Sequence, residues 1–407
     1  MTNESGNKMS RRQALATLSV STAALAAGML LPPQTASATV PSTVINVLDH
    51  GAVGDGVTND SPSVAAAVAA LPANGGVLYF PAGRYVLNQP VTLANKDVTV
   101  RGDGMQLSQL FFPASSGIVY STTNQFNDAL QVEDLCLVTV SDNLYVGIKA
   151  TYPNNVGSPW KNTIIERVML SGTTSIGEYN NGGNNCNSGP QNWQAGIELE
   201  NSAVSHVRDC VVRGSGGHGI LLKGYTVDIL IHGCKFYGAS EAIYKVGPSE
   251  GIIIDNCMGI NVGTFVYLNP NATSNAGVYA SIQNCHANYF NNGIIINYHP
   301  QMFMSNCLFY KNGTLNGGFD VLLNGCERSH ITNSTFIVRA STGYGNGIVV
   351  QNSSSVLIQG NIIQERETAV WLQASSSDCM VQNNRISGNA SNILNLGTNN
   401  LIGQNLH

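Results

Sequence analysis

A repeat constrains this chain more than any other feature of its sequence. From residue 196 onward, a short apolar run opened by a small residue recurs as Gly196-Ile197-Glu198-Leu199, Gly219-Ile220-Leu221-Leu222, Gly293-Ile294-Ile295-Ile296, Gly347-Ile348-Val349-Val350 and Ala369-Val370-Trp371-Leu372. A polar turn follows each, then a second run with a fixed ending: Val207-Arg208-Asp209-Cys210, Ile231-His232-Gly233-Cys234, Ile254-Asp255-Asn256-Cys257, Ile282-Gln283-Asn284-Cys285 and Met304-Ser305-Asn306-Cys307. The ending continues with its last residue changed in Ile331-Thr332-Asn333-Ser334, Ile358-Gln359-Gly360-Asn361 and Val381-Gln382-Asn383-Asn384. Weaker copies precede it at Val132–Leu135 and Ile165–Val168. The steps between terminal residues are 24, 23, 28, 22, 27, 27 and 23.

A unit this short leaves no room for a helix in each repeat, and the alternation inside each run is that of β structure. Three short strands per turn, stacked in parallel, make an all-β solenoid, the right-handed parallel β-helix. Successive coils of such a column lie about 4.8 Å apart, so equivalent residues stack into ladders. The composition agrees: only 11% of residues are charged, against about 25% in an average domain. Gly, Asn, Ser and Thr replace the Glu and Lys that the outer faces of helices would carry. Five of the nine cysteines (210, 234, 257, 285 and 307) share one ladder position that Ser334, Asn361 and Asn384 occupy in later coils. They are therefore expected to be free thiols packed inside a bend, since simple strand stacking does not supply disulfide geometry. Cys186, Cys326 and Cys379 fall outside that ladder.

Residues 1–38 read as a targeting segment. Ser10-Arg11-Arg12-Gln13 precedes a soft apolar stretch from Ala14 to Leu31, and Ala36-Ser37-Ala38 has the small-x-small form of a cleavage site. The paired arginines resemble the bacterial twin-arginine signal. The mature chain, 39–407, is expected outside the cytoplasm, extracellular or periplasmic after cleavage near Ala38. The stretch is too polar for a membrane anchor, and no other long apolar run exists. A net charge of −5 without any basic run argues against nucleic acid as a partner.

Residues 39–90 are expected to cap the column. Val44-Ile45-Asn46-Val47 reads as a first strand, and Asp60 or Ser61 can N-cap a short helix with Pro62 in its first turn, running to about Leu71. An open solenoid end exposes core, so a covering helix is physically expected. The stretch Gly51-Ala52-Val53-Gly54-Asp55-Gly56-Val57-Thr58-Asn59-Asp60, followed by Gly75-Gly76-Val77-Leu78-Tyr79-Phe80-Pro81-Ala82-Gly83-Arg84-Tyr85, resembles the opening of the pectate-lyase-like β-helix superfamily. That resemblance implies a secreted carbohydrate-active protein with a groove over the first strand of each coil. It does not select among lyases, glycosidases, epimerases and fructosyl transferases.

The longest insertion, Ser171 to Ala195, contains Tyr179 and Trp193 and leads into the strand bearing Glu198 and Glu200; a second expansion spans Asn269 to Gly277. Insertions on a solenoid collect on its working face. Alternation turns Ile197 and Leu199 inward and Glu198 and Glu200 outward. Lys223, His218 and Arg213 lie one coil away, then Tyr244 with Lys245, then Tyr298-His299. This set suits a polysaccharide lyase acting on a uronate. Lys223 or His218 is the candidate base. Glu198 and Glu200 are candidate Ca²⁺ ligands for neutralising the uronate carboxylate. Trp193, Tyr179, Arg213, Tyr244, Lys245, Tyr298 and His299 are candidate contacts to a polysaccharide or oligosaccharide. The plain alternative is a surface ion-pair patch of Glu198, Glu200 and Lys223.

Two further resemblances point elsewhere. Ser215-Gly216-Gly217-His218-Gly219 resembles the Gly-His-Gly element of polygalacturonase-type glycosidases, but Ala195-Gly196 stands where that family's carboxylate pair should fall. Glu241 and Glu250, with Leu322-Leu323-Asn324-Gly325-Cys326, resemble the inulin fructotransferases, which implies paired Glu catalysis in fructosyl transfer; a homo-oligomer could complete such a site across subunits. A non-catalytic glycan-binding solenoid is the remaining class.

Overall fold

The computed structural model describes residues 43–407, apart from 125–127, 143, 155–161, 174–191, 214–215, 270–271, 275–276, 312–316 and 339–344. The expected export segment lies outside the described residues. Thr43–His407 form one compact unit of parallel strands, with one α-helix among the described residues, Ser61–Ala70. Among the described residues no helix is long and apolar enough to cross a membrane.

The strands stack into three ladders, here called sheets A, B and C. A coil crosses them in that order; one runs Ala195–Glu200 (A), His206–Arg208 (B) and Val211–Arg213 (C). Each strand then pairs in parallel with its counterpart one coil on, as Ala195–Glu200 does with His218–Lys223, and that with Glu241–Val246. Register is held by the inward positions. In sheet A, Ile197, Ile220, Ile243, Val266, Ile294, Val321, Ile348 and Val370 stand one above another, and all are fully buried. Burial stabilises each such side chain by roughly 1.5–3 kcal/mol, and a slip of one residue would turn the whole row to solvent.

The repeated ending marks the corner between sheets B and C. The penultimate residue of each copy, namely Asp209, Gly233, Asn256, Asn284, Asn306, Asn333, Gly360 and Asn383, has φ between 50° and 70°. Only Gly, Asn and Asp adopt this left-handed conformation readily, and one such residue turns the chain sharply without a loop. The last residue then points inward. Cys210, Cys234, Cys257, Cys285 and Cys307 are free and buried, as expected, and each thiol lies against a carbonyl of the preceding coil, as Cys234 Sγ does with Val207 O at 3.5 Å. Later coils replace these weak contacts with an amide ladder. Asn361 Oδ1 accepts from Ser334 N at 3.0 Å while its Nδ2 donates to Ile331 O and Asn384 Oδ1 at 2.9 and 3.0 Å.

Cys326 and Cys379 also prove to be inward ladder residues, at other corners. The Cys326 amide donates to Ser353 Oγ at 2.9 Å, and that of Cys379 to Asn400 Oδ1 at 2.8 Å. Cys186 lies outside the described residues.

At the N-terminus the helix covers the column as expected, but Asp60 does not cap it. No side-chain capping bond forms; the buried Asp60 carboxylate instead accepts from Val53 N at 2.7 Å and Gly54 N at 3.3 Å. It ties down the Val53 and Gly54 amides just before the strand Asp55–Asn59, and this competes successfully with the helix end.

Replacing Asn361 by Ala leaves the buried Ser334 N–H without its acceptor. The expected loss is about 1–3 kcal/mol, measured by urea unfolding, and Asn361→Ser, the residue type one coil earlier, should recover part of it.

Candidate functional site

The outer surface of sheet A gathers most of the polar residues singled out in the sequence. In register, Lys149 aligns with Glu198, Glu198 with Leu221, Leu221 with Tyr244, and Tyr244 with Tyr267. Beside this row, Glu200 aligns with Lys223, and on its other side His218 aligns with Glu241. Residues some two dozen apart in sequence become neighbours because each coil places the same strand position on the same face.

Glu198 forms the floor of this surface. Its side chain is 6% exposed and its Oε1 receives two ammonium groups, Lys149 Nζ at 2.9 Å and Lys223 Nζ at 3.3 Å, which are themselves 34% and 41% exposed. One buried carboxylate thus holds two accessible cations. Lys149 escaped the sequence reading, although Gly147-Ile148 repeats the Gly-Ile opening of the later coils. The Glu200 side chain makes no hydrogen bond or ion pair to another described residue, and Lys223 leans to Glu198 instead.

One coil on, His218 stacks face to face on Tyr244, with ring centroids 4.3 Å apart and planes 3° apart. Its Nδ1 lies 3.1 Å from Glu241 Oε2. That contact is off the ring's donor direction, so it is a meeting of charge and dipole and not a formed hydrogen bond. Tyr267 closes the row edge-on against Tyr244 at 5.5 Å. Burial, and next the Glu241 charge, push the Tyr244 phenol above its ordinary range, so it is a proton donor at neutral pH.

Several sequence expectations are corrected by burial. Trp193 does not face a ligand; it is fully buried and packs against Phe112 in the core. Lys245 points inward, in register with Leu222 and Leu268. Burial pushes its amine down to about 7, yet its Nζ donates to the carbonyls of Gly224, Val246 and Gly247 at 2.8, 3.0 and 2.8 Å. Three acceptors suit an ammonium, with three hydrogens, better than an amine with two. His299 is also enclosed, between Ser249 Oγ at 2.9 Å and the Asn269 amide at 3.3 Å. Tyr298 follows the strand with φ 56°, and Asn297, one residue earlier, takes the outward row with Asn324 and Gln351. Arg213 ends a sheet C strand with its guanidinium over Tyr237 at 4.7 Å. Tyr179 lies outside the described residues.

Glu241 and Glu250 stand on different sheets. Glu250 is exposed on the sheet B strand Ser249–Asp255, where it accepts from Tyr225 Oη at 3.3 Å, so within one chain they face different surroundings. Nor do Glu198 and Glu200 fit the expected Ca²⁺ pair. The Glu198 oxygen is already bridged by two ammonium groups, and among the described residues no cluster of three or more acidic, His or Cys side chains could hold a metal.

Residues 44–267 match the family described as rhamnogalacturonase A/epimerase, pectate lyase-like. The chain belongs to that family. Residues 266–406 match the right handed beta helix region, which supplies the hand of the coil. A probable rhamnogalacturonase B of Neosartorya fischeri is 26% identical over 249 residues, covering 58% of this chain and 42% of that protein. The chain therefore spans about two fifths of the length of this curated relative. Among solved structures, the A-module of the mannuronan C-5 epimerase AlgE4 of Azotobacter vinelandii aligns with TM-score 0.53 and 19% identity, covering 89% of this chain and 97% of that one. PfbA, a surface adhesin of Streptococcus pneumoniae, aligns with TM-score 0.52 and 14% identity over 90% and 93%. Both similarities concern the fold, which serves an enzyme and an adhesin alike.

Burial, with the Lys245 charge adding to it, lowers the His299 imidazole from 6.5 to about 4. The folded chain therefore holds it neutral where the unfolded chain would protonate it. Its contribution is complete above pH 6.5 and is lost as pH falls through about 4. Comparing His299→Gln with the parent by denaturant unfolding, the parent's advantage should shrink on acidification across that window, by on the order of 3 kcal/mol.

Proposed function

We propose that this protein is a carbohydrate-active enzyme that binds a uronate-containing polysaccharide on the outer face of sheet A and cleaves it by β-elimination. The observation that carries the reading is the pair of accessible ammonium groups, Lys149 and Lys223, held on one buried carboxylate beside a stacked His218–Tyr244 pair. Removing the proton next to a carboxylate places negative charge on that carboxylate. Preorganised cations with little freedom to move stabilise that charge without reorganisation. Glu198 thus acts as a positioning residue that aims both ammonium groups.

Glu241 beside Nδ1 favours the hydrogen on that nitrogen and leaves Nε2 of His218 as the base. The C5–H bond breaks and its proton passes to His218. The electron pair left on C5 forms the C4=C5 double bond as the C4–O4 bond breaks, and O4 takes the phenolic proton of Tyr244. The step needs no metal-borne charge, because the two lysines supply it.

Hydrolysis has one observation in its favour besides the relatives' name. Glu198 and Glu200 project from the same face two residues apart, and an inverting glycosidase uses two carboxyl groups flanking the bond. Glu241 is too distant to serve as the partner of Glu200. Its level along the strand is five residues away, about 16 Å.

Product mass separates the two. Elimination yields fragments with an unsaturated end, one water lighter than hydrolytic ones, and saturated products would select hydrolysis. For elimination, Lys149→Ala and Lys223→Ala should each lower kcat/KM by about 10²–10³ and His218→Ala by about 10²–10⁴. Tyr244→Phe should keep substrate affinity while losing turnover.

A further inference from the structure

Outward-facing charge on the described strands of sheet A falls on four successive coils. Lys149, Glu198, Glu200, His218, Lys223 and Glu241 all lie on the coils between residues 146 and 246. From Thr264 to Asn395, no outward position in the described strands of this sheet carries an Asp, Glu, Lys, Arg or His side chain. The central row there is apolar. Tyr267, Ile295, Leu322, Val349, Trp371 and Leu394 stand in register, flanked by the amides of Asn297, Asn324 and Gln351. Val349 and Ile295 are buried, whereas Tyr267, Leu322, Trp371 and Leu394 keep part of their surface exposed. From Tyr244 to Trp371 the row advances five coils, roughly 24 Å at about 4.8 Å per coil.

Resting on the glycan-groove reading above, we infer that the half of sheet A from Tyr267 to Trp371 is a specificity surface for uncharged sugar units, so that the substrate presents carboxylates over Lys149–Glu241 and neutral or esterified units beyond. A polymer with a free carboxylate on every unit would lay unpaired negative charge along a row with no cation to receive it, and desolvating those groups is unfavourable. Uncharged sugars meet that row on better terms. Their C–H faces pack on Tyr267, Leu322 and Trp371, and their hydroxyls reach the Gln351 side-chain amide, which both donates and accepts. The occupant is the same glycan that fills the charged half, because one uninterrupted sheet surface carries both.

The test measures binding of the full chain to polygalacturonate and to its methyl-esterified form, by calorimetry at two salt concentrations, for the parent, Trp371→Ala, Leu322→Ala and Lys223→Ala. Circular dichroism and thermal unfolding would confirm that the variants fold. Trp371→Ala and Leu322→Ala should weaken binding of the esterified polymer about tenfold and leave polygalacturonate unaffected. Lys223→Ala should weaken polygalacturonate alone, and only that binding should fall with added salt. Equal loss for both polymers in Trp371→Ala, or loss for neither, would overturn the inference. So would sedimentation showing that Trp371→Ala turns a dimer into a monomer, since the row would then be a contact between copies. Binding needs no turnover, so a protein that discriminates in this way but releases no product would refute the elimination reaction and leave the neutral surface standing.

Discussion

Everything in this molecule depends on coils stacking in parallel at one fixed register. A single left-handed residue at the corner between sheets B and C turns the chain within one position, so the inward residue after it lands over its predecessor. The buried aliphatic rows of sheet A then make any slip unfavourable by exposing a whole ladder at once. The polar ladders add direction to this. The amides of Asn361 and Asn384 accept or donate only when stacked in order, which a purely apolar core would not enforce.

The same stacking makes the candidate site. No single coil carries it: Lys149, Glu198, Lys223, His218 and Tyr244 come from four successive coils, and each lies on a strand whose backbone is held by neighbours on both sides. Such side chains lose little additional freedom when a ligand arrives, and preorganised charges are the kind that stabilise a developing anion. Glu198 combines both roles of a buried carboxylate. It is stabilised by two cations, and it keeps those cations where a substrate can meet them.

Much of this was legible beforehand. The repeat period excluded helices between strands, the Asn/Gly/Asp-Cys ending marked the corner, and strand alternation turned Glu198 and Glu200 outward and Ile197 and Leu199 inward. The free, buried cysteines followed from their shared ladder position with Ser334 and Asn361. The misreadings have separate causes. Lys245 obeys strand alternation, in register with Leu222 and Leu268, but a lysine is not expected inward until the carbonyls of Gly224 and Gly247 are seen to receive it. His299 lies beyond the end of its strand, where alternation ceases to decide direction and the Ser249 hydroxyl offered it a partner. Trp193 follows a long insertion, where the count of positions no longer predicts facing.

What the sequence alone determined is the periodic part: the fold class, which residues share the outer face of sheet A, and the ladder nature of most cysteines, because each depends on residue type at regular intervals. Only the tertiary structure decided which polar groups meet. The pairing of Lys149 and Lys223 on one carboxylate, the stacking of His218 on Tyr244, and the separation of Glu241 from Glu250 depend on register between coils of unequal length. A difference of one residue in a turn shifts that register, and spacing along the chain does not record where in the coil the extra residue is absorbed.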